Sequence, residues 1–196
     1  MIEIRQLVPN YSSEKNHESP TAFFLCPVSW LAPLAYLHII FKPLADPLLK
    51  SLTVQLELPL AFSLFLRQQN GAILFSGALN FFGLHAPGQL FNREDPFSRL
   101  PFDLQNEGRN WPPVNSKRLL VIGSYGFDGS TICIDRSNLR VVMYKRGTTG
   151  LAERPSYRWE TLEECVVGEF ARLSAIFDKS GRRLVDERLT VPESSS

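Results

Sequence analysis

The hydrophobic period of the chain changes at Asn70-Gly71, and that change narrows the folds open to it more than any other feature. Before it, Leu58-Pro59 opens a stretch in which Phe62, Phe65, Leu66 and Gln69 follow one helical stripe, and Asn-Gly supplies a left-handed stop. Upstream, Asp46-Pro47 reads as an N-cap followed by proline at the first helical position, with Leu49, Leu52 and Leu56 on one face. Earlier still, Leu31, Leu34, Ala35, His38 and Phe41 fall near helical spacing, with Pro33 inside the first turn, which predicts a helix over 29–41. After Gly71 the pattern is that of strands. Residues 72–84 are rich in β-branched and aromatic side chains and break at Ser76-Gly77, as paired strands do. Strands follow at 118–123, 130–136 and 140–146, the last two joined by the hairpin-length turn Ser137-Asn138-Leu139. Thr161-Leu162-Glu163-Glu164 matches a capping box and starts a helix with the stripe Leu162, Val166, Phe170, Leu173 and Phe177. Helices, a meander of strands and a closing helix indicate an α+β domain. The helix at 58–70 is expected to pack on the sheet, and the one at 161–177 to cover the same sheet through Leu162, Val166 and Phe170.

At 196 residues the chain suits one domain. The expected organisation is an irregular leader over 1–20, the α+β domain over 21–180, and a partly disordered tail over 181–196. The connection 85–116 is long and holds Pro87, Pro96, Pro101, Pro112 and Pro113, so it is functional or is held down by its aromatics Phe91, Phe97, Phe102 and Trp111. From Ser19 to Phe41 there is no Asp, Glu, Lys or Arg, which is enough length for a bilayer. Three prolines and a histidine inside it, and the absence of basic flanks, favour a buried core element instead.

Charge and motifs exclude several functions. With 21 Lys and Arg against 20 Asp and Glu, the formal charge is +1, too balanced for the field that grips a phosphate backbone. Cys26, Cys133 and Cys165 are widely spaced in apolar runs, which suits buried thiols in a reducing cytosol and offers no metal-ligand pair. The polar N-terminus lacks a secretory pattern, so the expected location is the cytoplasm. The cluster Gly123-Ser124-Tyr125-Gly126-Phe127-Asp128-Gly129 lies between strands and feeds no helix, unlike a nucleotide-binding glycine loop. Ser124 and Ser130 belong to no G-x-S-x-G elbow, and His85 is a lone loop histidine. No catalytic constellation, cofactor site or metal site emerges.

The order of the motifs carries more information. Leu58-Pro59, a short helix with Phe62, Phe65 and Leu66, and Asn70-Gly71 are followed by Val121-Ile122-Gly123 entering a Gly/Asp loop (Gly126, Asp128, Gly129). Then come Ile132, Ile134 and Asp135, the strand Val141-Val142-Met143-Tyr144, and a final helix with Trp159 upstream. Over roughly residues 29–178 this set resembles the SUKH superfamily, the Smi/Knr-like proteins. The resemblance implies helices packed on a mainly antiparallel sheet. It also implies a non-enzymatic protein-binding role, either as a bacterial immunity protein that neutralises a toxin or as a regulator working through protein contacts. The superfamily has no shared catalytic centre, and no cofactor is expected. The charge-free 19–41 segment and the long 85–116 connection depart from the usual pattern. A hydrolase using His85 or Asp128 in a long-loop cleft is the remaining alternative.

A protein that acts by covering a partner should work through exposed loop side chains. The 85–116 connection mixes aromatics with Arg93, Glu94, Asp95 and Arg109, and the 124–129 loop holds Tyr125, Phe127 and Asp128 between glycines. The predicted contact residues are Tyr125, Asp128, Glu94, Asp95 and Trp111, whereas Phe97 and Phe102 are expected to fold the connection onto the sheet.

Overall fold

The helical stretch that ends before Asn70-Gly71 is a pair of helices, α1 (Asp46–Gln55) and α2 (Leu60–Gln68). The computed structural model describes residues 3–8, 16–28, 30–31, 35–85, 102, 106, 118–146, 154–178, 180–186 and 188–192. The first cap differs from the sequence expectation. Ala45 occupies the N-cap, Asp46 is the first helical residue, and the cap makes no side-chain hydrogen bond, leaving Asp46 to act as an acid in the first turn. Glu57 turns the chain at φ +49, and α2 then buries Phe62, Phe65 and Leu66. Each of those burials contributes about 1.5–3 kcal/mol.

One sheet takes in strands on both sides of Gly71, which sits at φ +90. Its strands are β1 (His17–Glu18), β2 (Ala22–Pro27), β3 (Tyr36–Phe41), β4 (Ala72–Leu74), β5 (Leu79–Phe81), β6 (Leu119–Tyr125), β7 (Thr131–Asp135), β8 (Val141–Tyr144) and β9 (Tyr157–Trp159). They lie side by side in chain order, and every neighbouring pair is antiparallel. The closing helix α3 (Leu162–Ile176) turns Leu162, Cys165, Val166, Glu169, Phe170, Leu173 and Ile176 inward. The buried side chains of α1, α2 and α3 join those of the sheet in one core, so the chain is an α+β domain. Thr161 caps α3 as expected: Glu164 N–H donates to Thr161 Oγ1 at 3.0 Å, while the Glu164 carboxylate accepts from Glu160 N–H at 2.8 Å. Such a cap contributes about 1 kcal/mol.

The predicted helix over 29–41 does not form; its second half is strand β3. Five of the six β3 residues are buried, so both faces are apolar and the alternation that marks a half-exposed strand is missing. Instead the charge-free segment supplies the β2–β3 hairpin. Leu25 and Ile40 enter the main core, while Ala22, Phe24, Ile39 and Phe41 form a second cluster on the other face of the sheet. Among the described residues no helix is long and apolar enough to cross a membrane.

Parts of both chain ends pack on the domain. Residues 4–7 make a short 3-10 turn in which Ile4 is fully buried and donates its N–H to Gln69 Oε1 at 3.1 Å. Near the other end, Phe177 pairs with Arg183, and Thr190 and Val191 are buried. The long connection also reaches the core. Phe102 is buried, its ring 5.5 Å from that of Phe62, and its N–H donates to Gly83 O. Asn106 takes over where β5 leaves β6: its side chain accepts from Val121 N–H at 2.8 Å and donates to Val121 O at 2.9 Å. Asn70 does the same for Leu84, bonding both its N–H and its carbonyl. That pairing brings the chain so close that a Cβ on Gly83 would lie 2.1 Å from Asn70 O.

Candidate functional site

Strand β6 runs two residues past Gly123, and this decides the role of Tyr125. With a period of two, Tyr125 shares the face of Gly123, the face that α3 covers. Its side chain is therefore fully buried, which corrects its assignment as a surface contact. The phenol donates to Glu169 Oε2 at 2.7 Å, and burial, helped by that carboxylate, holds its ionisation well above the ordinary range. Glu169 is itself buried and pairs with Arg172, whose Nη2 lies 2.7 Å from Oε2 and whose Nε donates to both carboxylate oxygens. Arg172 also donates to the carbonyls of Arg188 and Leu189, so buried Tyr125 and Glu169, with half-buried Arg172, grip the C-terminal segment.

The turn that follows begins at Gly126. A Cβ there would lie 2.1 Å from Gly77 O, so the β6–β7 tip can rest against the β4–β5 tip only through glycine. Asp128 is exposed, but both of its oxygens are engaged: Oδ1 accepts from Ser130 N–H at 2.8 Å and Oδ2 from the Thr190 hydroxyl at 2.6 Å. Asp128 thus ties the hairpin to the C-terminal segment from outside, as Arg172 does from inside. The other predicted contact residues, Glu94, Asp95 and Trp111, lie outside the described residues, as does Phe97.

Between these two ties lies an open groove of about 790 Å³, lined by Phe127, Asp128, Lys145, Arg172, Arg188, Thr190, Val191 and Pro192. Phe127 is 73% exposed at the hairpin tip. The sequence places it in the 124–129 loop but not among the predicted contact residues; a tip between two glycines has no strand alternation to bury an aromatic, and that is the signal that marks it. Glu169 was equally legible in principle. It follows Leu162 and Val166 at seven and three residues on the buried stripe of α3, a position where a carboxylate needs a partner.

Among the described residues no group of three or more His, Cys, Asp or Glu side chains comes together as a metal-ligand set. The three cysteines are buried free thiols, and burial pushes Cys26 up to about 12. Compared with protein-family models, with curated proteins and with solved structures, the chain gives no match.

Proposed function

We propose that the chain is a Smi/Knr-like immunity protein of the cytoplasm, a non-enzymatic module that binds a protein toxin and neutralises it. The observation that carries this reading is Phe127, an exposed aromatic on a hairpin tip fixed by glycines and by Asp128, beside a groove with three cationic side chains. Aromatic and arginine side chains at a preorganised site are what binding hot spots are made of. The ordered motif set supports the family reading, from Leu58-Pro59 through Asn70-Gly71 to the Gly/Asp loop. Its Asn70 and Gly126 are sites of close backbone approach, which an alanine at either position would disturb.

The test is expression of the tagged full chain in its native host. A stoichiometric protein partner should survive washing, arrest growth when expressed alone, and be silenced when the chain is co-expressed. A partner without toxicity would overturn the immunity role in favour of a regulatory or scaffold protein of the same fold. Recovery of no stoichiometric partner would overturn the binding-module reading.

A further inference from the structure

The carboxylates of Asp128 and Glu169 are committed within the protein. Asp128 spends both oxygens on Ser130 and Thr190, and Glu169 spends its own on Tyr125 and Arg172. The cations are placed differently. Arg172 holds the carbonyls of Arg188 and Leu189, which fixes the backbone that carries Arg188 at the groove wall. Arg188 makes no ion pair among the described residues. Lys145 lines the same groove, and Arg146 packs against the hairpin, with its Cδ 3.2 Å from where a Cβ on Gly129 would stand. Apolar surface sits among these charges in exposed Phe127 and Pro192, with buried Val191 behind them. Burying an ion pair such as Glu169–Arg172 is a weak source of stability, because desolvation offsets the attraction. Here the pair fixes a cationic wall in place.

We propose that this groove receives an extended acidic segment of a protein partner. Its carboxylates would be met by Lys145 and Arg188, and an apolar side chain would lie against Phe127 and Pro192. The inference rests on the protein-binding reading and names the chemistry of the partner. Arg172 is a positioning residue in it, since most of its donors are already used within the protein. An exposed cation such as Arg188 acts on encounter rate and salt dependence, and the aromatic supplies the desolvated contact.

The experiment uses the full chain and a fluorescein-labelled peptide of alternating Glu and Phe, read by fluorescence anisotropy. A peptide with Lys in place of Glu is the control. Saturable binding of the Glu–Phe peptide, weakened by added salt, is expected, with no binding of the Lys–Phe peptide. Arg188→Glu should weaken binding about tenfold, and Phe127→Ala about tenfold as well, both with an unchanged thermal midpoint. Equal binding of the two peptides, no binding of either, or full affinity in both variants would overturn the proposal. Displacement of the peptide by millimolar inorganic phosphate would also overturn it, by reducing the groove to a simple anion site. The host partner separates this inference from the reading beneath it. If Arg188→Glu loses the peptide but keeps the partner at full affinity, the acidic segment is wrong and the binding module stands. If the peptide binds as expected but no partner is retained, the binding module is wrong.

Discussion

Two polar side chains are fully enclosed against neighbouring residues of α3, and they are enclosed in different ways. His38, on β3, lies 5.4 Å from the Phe170 ring and 4.7 Å from that of Phe75, measured between centroids. Burial among those rings lowers its pKa from 6.5 to about 3, so it is held neutral. Glu169, one residue before Phe170, is enclosed with an arginine and a tyrosine that complete its hydrogen bonds. One site suppresses charge and the other pairs it. The β3 side holds a neutral ring that accepts from Phe75 N–H at 3.5 Å, whereas the β6 side is a charged network in which each member leaves another stranded when removed.

Glu169→Ala is the substitution that should break this contrast most severely. It strands the Tyr125 hydroxyl and the partly buried Arg172, and should cost about 3 kcal/mol in a urea unfolding titration. A loss under about 1 kcal/mol would mean that water substitutes for the carboxylate and that the network is no tie at all. The His38 side is probed by pH. Because its folded value lies below its ordinary one, the stability gained by keeping it neutral is complete above about pH 6.5 and drains as pH falls toward 3. Between pH 7 and pH 4 the protein should lose about 2–3 kcal/mol through this group, and His38→Phe should remove most of that slope. Asp135, held down to about 2 chiefly by Arg118, gives up its contribution only as pH falls below its ordinary 3.8, so it leaves the window clear. Parallel pH curves for the two proteins would show that His38 is not the acid-sensitive site. The smallest effect sharpens the comparison. Tyr125→Phe deletes one hydrogen bond but leaves Glu169 paired with Arg172, and should cost about 1 kcal/mol. A cost equal to that of Glu169→Ala would place the whole network on the phenol.

These two regions also differ in how much of them the sequence discloses. Helix α2, the break at Ser76-Gly77 and strands β6 to β8 follow from local pattern, since the stripe, the turn chemistry and short β-branched runs bounded by turn residues agree there. Strand β3 does not: it is covered on both faces like β7 and β8, but its apolar residues also fall near helical spacing, with Pro33 placed upstream as a helix start would have it. Asp128 was legible as a loop residue, but its bond to Thr190 spans 62 positions and no local rule foretells it. Tyr125 was misplaced by two residues of strand length, the margin within which strand ends are least legible and enough to send a side chain to the interior rather than to a turn.

The strict chain order of the sheet has a kinetic consequence. Each strand's partner is the strand synthesised just before it, so the sheet can grow along one edge by successive local closures, which are the cheap ones. Two joints are longer closures: that of β3 with β4 across α1 and α2, and, longer still, that of β5 with β6, where Phe82 N–H meets Ile122 O across the long connection. Loop-closure cost rises only about 0.6 kcal/mol for each doubling of length, so this joint is slow to find but little weakened by its span. A chain emerging from a ribosome could therefore complete everything up to β5 and wait, with the second half docking onto an edge already made.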